Sequence, residues 1–196
     1  MIDLSSDEWV ATIPAMKKVL FTTLTLLIVG LANNSHAGGN DQCFLKIEGI
    51  QGESHNDRHA GEIDLVGFRT GLMQKLISSA TGGAGAGKPE FSPLKVFKYI
   101  DKASIPIFVA CAVGKNLKKA TLSIAKSGSD TPHDYFVIVL SDVFVSSVND
   151  STETTDAEGN LLETVSFDYL KIEWTYTPQN EDGSLGTPIK GGWDLK

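Results

Sequence analysis

Apolar and polar residues alternate along most of the chain beyond residue 42, and this pattern predicts a mainly β protein. In Cys43–Glu48, Leu45 and Ile47 fall on one side and charged residues on the other, as in a half-buried strand. Similar patterns predict strands over Glu62–Phe68, Phe91–Ile100, Leu117–Lys126 and Glu163–Thr177. Many strands with a single helix are typical of a small barrel or of two packed sheets.

The segment Phe136–Val148 is apolar on both faces. An antiparallel strand with one face in water would alternate between apolar and polar residues instead. We therefore expect this strand to be covered on both sides, the second cover being the helix or another subunit. The residues that we expect at such a subunit contact are Val137, Val139, Val143 and Val145.

The last long strand contains a change of phase. Val165 and Phe167 share the phase of Tyr169, whereas Ile172 shares the phase of Leu170. A shift of one residue turns every following side chain to the opposite face of a sheet. The sequence therefore predicts a β-bulge or a sharp twist between Tyr169 and Leu170.

One helix is predicted after the strand Phe91–Ile100. Ser104 can cap it, Pro106 suits its first turn, and Gly114 ends it. Its apolar residues recur at helical spacing and are expected to pack on the sheet, where full burial of Phe108 would contribute about 1.5–3 kcal/mol. These residues are Ile107, Phe108, Cys111 and Ala112.

A long connection covers Arg69–Gly87. Its second half, Ser78–Gly87, is rich in Gly and Ala, so it is expected to be a flexible loop. Gly82–Lys88 matches the spacing G-x-x-x-x-G-K, but Pro89 stands where a phosphate-binding loop needs Ser or Thr. No convincing helix follows either, and we therefore favour a mobile glycine loop over a nucleotide site.

Composition and charge exclude several classes of function. The 196-residue chain carries a net charge of −7 and has no cluster of Lys and Arg, which argues against nucleic-acid binding. Alternating polar residues could hold a metal ion in an extended strand, but short polar runs are more often solvated loops. These residues are Glu53, His55, Asp57 and His59. We predict no catalytic residue, no cofactor and no metal site.

The N-terminal region has the order of a secretory signal. Met16-Lys17-Lys18 is basic, Val19–Leu31 is apolar but short for a bilayer span, and small residues precede a cut between Ala37 and Gly38. We predict an N-terminal extension and cleavable segment over 1–37 and one domain over 38–196, with no stable membrane insertion after cleavage. Translation could start at Met1 or at Met16, because the acidic residues before Met16 are unusual for a signal.

The two cysteines, Cys43 and Cys111, are too few for a disulfide framework or a four-cysteine zinc site. Export would permit one disulfide between them. Buried thiols that act as small apolar residues are the favoured interpretation.

A set of ordered motifs extends along nearly the whole domain and resembles the haemolysin-coregulated protein (Hcp) family of type VI secretion. Each motif is weak alone, and their order and spacing together are specific. The motifs are Phe44–Ser54, His59, Glu62–Asp64, Gly85–Lys88, Lys98–Ser104, Ala110–Lys115, Val143–Val148, Glu163–Phe167, Tyr176–Gln179 and Gly192–Trp193.

The resemblance implies a two-sheet β-barrel with one flanking helix, a hexameric ring, and stacking of rings into a tube. It also implies a VgrG-type spike, a contractile sheath and small effector proteins as partners, and secretion from the cell. Arg69–Gly87 matches the extended loop of the family, although Arg69–Ile77 departs from its Ser- and Met-rich pattern. Further expected contact residues are therefore Arg69, Leu72, Met73 and the C-terminal Trp193.

Two functions follow from this resemblance. The first is a structural ring and tube subunit for effector delivery. The second is an Hcp-like protein that the general export route sends through the periplasm and that acts outside the tube as a secreted or effector-binding module. The signal-like segment 16–37 favours the second, because tube subunits of the family normally lack a cleavable signal.

Overall fold

The computed structural model describes residues 41–78, 84–126, 133–156 and 159–196. The predicted signal segment and its cleavage site at Ala37 and Gly38 lie outside these residues. Within them the chain forms ten strands and one helix. In order these are β1 (Gln42–Ile47), β2 (Ile63–Leu65), β3 (Gly67–Arg69), β4 (Leu72–Ser78), β5 (Ala84–Phe91), β6 (Leu94–Tyr99), α1 (Ser104–Ala112), β7 (Leu117–Ala125), β8 (Asp134–Thr155), β9 (Leu161–Tyr176) and β10 (Ile189–Asp194).

Eight strands form one antiparallel sheet in the order β2-β1-β7-β8-β9-β6-β3, with β10 added on β9. Only Val66 separates β2 from β3, and the Val66 amide donates to the Phe97 carbonyl at 2.8 Å. Because β2 pairs with β1 and β3 pairs with β6, this short segment joins the two edges of the sheet. The sheet therefore closes as a barrel, which confirms the predicted mainly β barrel with one helix. The barrel is one continuous sheet, and the second sheet is the pair β4–β5.

Side chains that alternate along the strands fill the barrel. Leu45 and Ile47, which were predicted to share one face of β1, point inward. Each fully buried aliphatic or aromatic side chain contributes about 1.5–3 kcal/mol. The interior includes Leu45, Ile47, Ile63, Val96, Leu122, Ile138, Leu140, Val143, Val165, Phe167 and Ile172.

In both long strands, β8 and β9, the series of every second residue that points into the barrel shifts by one position at the same level of the sheet. This shift confirms the predicted change of phase after Tyr169. Asp142 in β8 has a φ of 51°, and Leu170 lies at the corresponding level of β9. Since both strands change together, the register continues across the switch. The bulge itself lies further along β8, between Val145 and Ser147. The buried residues on either side of the switch are Ile138, Leu140, Val143 and Val145 in β8 and Phe167, Tyr169 and Ile172 in β9.

The connection that we expected to lack structure forms the antiparallel hairpin β4–β5, from the pair Leu72 and Phe91 to the pair Ser78 and Ala84. The expectation of a structureless connection is therefore wrong for residues 72–78 and 84–87, and residues 79–83 of the predicted loop lie outside the described residues. Ala and Gly alternate in residues 84–87. Because neither has a large side chain to pack, the backbone hydrogen bonds between the two strands are the main source of order. Lys88 lies within β5, so this segment does not have the loop-then-helix form of a phosphate-binding loop.

Helix α1 packs on β8 and ends just before Gly114, whose φ of 62° fits the predicted stop. Ala103, not Ser104, precedes its first turn, and no side chain caps it. The inner face buries Ile107 and Ala110, whereas Phe108 and Ala112 are exposed, so their expected burial is wrong. Among the described residues, no helix has the length and apolar character needed to cross a membrane.

Candidate assembly surfaces

A buried cluster of charges anchors the start of α1 to one end of the barrel. Lys98 of β6 and Glu163 of β9 are cross-strand partners and are fully buried. Lys98 Nζ lies 2.9 Å from Glu163 Oε2 and 2.8 Å from Asp101 Oδ1, and it donates to Ser104 Oγ at 2.9 Å and to the Tyr99 carbonyl at 2.7 Å. Removal of one partner would leave an uncompensated buried charge. The cluster therefore fixes the orientation of α1.

This orientation directs one apolar side of the helix into solvent. We call Ile105, Phe108, Val109 and Val113 the outer face of α1. They are 73%, 54%, 53% and 68% exposed, and their spacing places them on one stripe. A helix that is apolar on all sides is normally buried, and contiguous exposed apolar patches mark interaction sites. The outer face of α1 is thus an apolar surface that remains uncovered in a single subunit.

The hairpin β4–β5 is the second feature with uncovered apolar side chains. Leu72 and Met73 are mostly exposed, and a two-stranded hairpin is marginally stable by itself in water. Lys75 and Glu90 pair across it at 2.5 Å, but both side chains are more than half exposed. Such surface pairs contribute only about 0–1 kcal/mol. Arg69, just before the hairpin, is also exposed, so all three contact residues predicted in this segment are accessible.

Strand β10 was not predicted as a strand and forms a third surface. All its residues are exposed, and in the described structure it pairs with β9 alone, so its other edge is open. Trp193 stacks on Phe91 at the base of the hairpin with ring centroids 6.4 Å apart, and Phe91 lies 6.3 Å from Trp174. The C-terminal aromatic therefore has a docking position, and it remains half exposed.

The contact residues predicted in β8 divide into two pairs. Val143 and Val145 lie inside the barrel of the single subunit, so their assignment to a subunit contact is wrong. Val137 and Val139 are half-buried on the outer side. The cross-strand partners of Val139 are polar, Thr121 in β7 and Glu173 in β9. The outer side of β8 is consequently a mixed surface, and the uncovered apolar surface lies on α1 and on the hairpin.

The alternating polar residues of the β1–β2 loop do not converge. His59 bridges Glu62 at 2.9 Å and Asp134 at 3.1 Å and stacks on Phe44, whereas Glu53 accepts a hydrogen bond from the Lys102 amide. Across the described ranges, no group of three or more His, Cys, Asp or Glu residues could hold a metal ion. The contacts of His59 hold this loop against the start of β8.

Cys43 and Cys111 are both free and half-buried. They pack against the core as the favoured interpretation expects. Burial, and then the charge of Asp41, raises the pKa of the Cys43 thiol. The thiol is therefore held in its protonated form and behaves as a small apolar group.

Comparisons with known proteins agree with this architecture. Residues 44–176 match the family described as "Type VI secretion system effector, Hcp". The chain is 38% identical over 154 residues to Protein hcp1 of Pseudomonas aeruginosa, covering 78% of this chain and 94% of that protein. It is 26% identical over 147 residues to the Major exported protein of the same organism, covering 71% and 84%.

Solved structures show the same fold. A type six secretion system protein aligns with a TM-score of 0.72 and 31% identity, and Hcp1 from Salmonella typhimurium aligns with a TM-score of 0.63 and 31% identity. Each alignment covers 79% of this chain and 95% of the other chain. The chain therefore belongs to the Hcp family of type VI secretion proteins.

Proposed function

We propose that this chain works by self-assembly, as the subunit of a hexameric ring that stacks into the tube of the type VI secretion system. The observation that carries the proposal is the outer face of α1. Its four apolar side chains are held outward by a buried charge cluster, so the helix cannot simply turn them inward. A second copy is the partner that covers such a surface.

The uncovered surfaces differ from one another, which supports a ring rather than a two-fold dimer. One copy offers an apolar helix face and an apolar hairpin, and the contact between unlike surfaces is heterologous. Heterologous contacts form rings when the rotation closes. We expect each contact to bury more than about 1,000 Å², since specific interfaces exceed crystal contacts in area.

The role is structural, and the chain is secreted. A VgrG-type spike, a sheath and small effectors carried in the tube are its partners by family membership. The signal-like segment 16–37 supports the alternative, an Hcp-like protein that is exported through the periplasm, starts at Gly38 and acts outside the tube. N-terminal sequencing of the protein from cell fractions tests this route: a start at Gly38 in the periplasm supports it, and an uncleaved start in the cytoplasm contradicts it.

Negative-stain imaging of the purified chain tests the ring. We expect closed rings for the natural sequence and their loss for Phe108→Glu, with an unchanged circular dichroism spectrum. Lys118→Glu, an exposed change on β7, is the control and should retain rings. Rings that persist in Phe108→Glu would show that the outer face of α1 is not the contact.

A further inference from the structure

One row of side chains crosses four strands of the barrel on its outer side. Arg69 of β3 lies directly opposite Lys95 of β6, Lys95 lies opposite Ser166 of β9, and Ser166 lies opposite Ser147 of β8. These residues line one groove in the surface, together with Ser146 and Asp168. We call it the Arg69–Lys95 groove.

The two cations of this groove are direct cross-strand neighbours. Like charges directly opposite each other on adjacent strands destabilise a sheet. In the described part of the chain, neither Arg69 nor Lys95 forms an ion pair, although Asp168 lines the same groove. An anion between the two side chains would convert this repulsion into two charge-assisted hydrogen bonds.

The floor of the groove supplies hydroxyl groups. The bulge between Val145 and Ser147 adds one residue to β8, so Ser146 and Ser147 both line the groove. The Ser147 hydroxyl accepts from Asn149 Nδ2 at 3.3 Å, which leaves its hydrogen available for donation. Ser146 Oγ donates to the Ser166 carbonyl at 3.2 Å and thereby holds the bulge in place. Donors beside two cations form a site suited to a carboxylate.

We propose that the Arg69–Lys95 groove binds an Asp or Glu side chain of an adjacent copy. This inference rests on the proposed self-assembly. With a net charge of −7 on each copy, subunits repel one another in general, and a local basic groove gives the contact its register. The groove holds two cations only, which is enough for a carboxylate and too few for a polyanion.

A zero-length carbodiimide cross-link between Lys95 and a carboxylate tests the proposal. Equal amounts of unlabelled and ¹⁵N-labelled full chain are mixed under dissociating conditions, reassembled, cross-linked, digested and analysed by mass spectrometry. We expect a Lys95 peptide joined to an acidic peptide of the other isotope. Lys95→Arg keeps the charge but cannot react, so it should assemble normally and lose only this cross-link.

Charge reversal provides the second measurement. Arg69→Glu with Lys95→Glu should weaken assembly by about tenfold or more, since like charges across an interface are strongly unfavourable. Lys118→Glu with Lys119→Glu, two exposed positions on β7, changes the net charge equally and is the control. Cross-links between copies that exclude Lys95, together with normal assembly of the Arg69→Glu/Lys95→Glu variant, would overturn the groove proposal and leave the ring intact. An absence of any mixed-isotope cross-link would instead contradict self-assembly itself.

Discussion

The barrel and the hairpin β4–β5 differ in how much of their stability a single chain supplies. The barrel closes its own sheet, fills its interior with aliphatic side chains and pairs its buried charges internally. The hairpin has small residues in one strand and exposed apolar residues in the other. The barrel is therefore stabilised by contacts within one chain, whereas the hairpin needs contacts with a partner.

The two sides of α1 repeat the same contrast within a single helix. Ile107 is fully buried against the barrel, and the adjacent Phe108 is 54% exposed. Neighbouring residues of similar character thus serve different purposes. Substitutions on the inner side should act on the folding of one subunit, and substitutions on the outer side should act on assembly.

The largest effect is expected at the buried charge cluster. Lys98→Ala should lower the free energy of unfolding by about 3–5 kcal/mol, because the Glu163 carboxylate would remain buried without its compensating cation. Urea unfolding of the dispersed subunit measures this loss. The double variant Lys98→Met with Glu163→Leu should recover most of it. A loss below about 1 kcal/mol in Lys98→Ala would show that the cluster does not anchor α1.

The paired variants Ile107→Ala and Phe108→Ala sharpen the comparison on α1. Ile107→Ala should cost about 2–5 kcal/mol of unfolding free energy, since it leaves a cavity in the core. Phe108→Ala should stay within about 0.5 kcal/mol in the dispersed subunit and should weaken ring formation. Equal losses of stability from both variants would contradict the assignment of inner and outer sides.

A smaller effect is expected in the hairpin. Leu72→Ser with Met73→Ser should change the unfolding free energy of the dispersed subunit by no more than about 0.5 kcal/mol, as both side chains are exposed. Hydrogen exchange compares the hairpin of the isolated subunit with the hairpin of the assembled protein. Its amides should exchange faster than those of β7 in the dispersed subunit and become protected on assembly. Equal protection in both states would show that no partner covers the hairpin.

The smallest effect concerns pH. Burial, followed by the hydrogen bond to Asp41 and the charge of its carboxylate, raises the pKa of Tyr135 to about 12. The folded chain holds this proton more tightly than the unfolded chain, so the associated stability is present below pH 10 and is lost as the pH rises towards 12. Ultraviolet titration of tyrosinate should show a lower pKa in Asp41→Asn. An identical pKa in that variant would contradict the role of Asp41.

Much of the barrel could be predicted from the sequence because its strands alternate clearly. The strand around Leu45 and Ile47 and the helix stop at Gly114 are where the pattern placed them. The change of phase after Tyr169 could also be predicted from the sequence. The buried residues of a strand recur at every second position, so a departure from this spacing is easily recognised.

The remaining features leave no such periodic signal. The hairpin strand Ala84–Phe91 has few large apolar side chains, and β10 contains two adjacent glycines. The inner side of α1 was misjudged because a helix that is apolar all round offers no preferred stripe, so Phe108 appeared to be as good a core residue as Ile107. Lys98 and Glu163 are 65 positions apart, and only the fold brings them together.

Native mass spectrometry of the purified chain tests the central claim most directly. If α1 and the hairpin are surfaces that identical copies cover, the spectrum at micromolar concentration should be dominated by a species with the mass of six subunits. A folded species with the mass of one subunit, unchanged at the highest concentration that can be reached, would contradict the account.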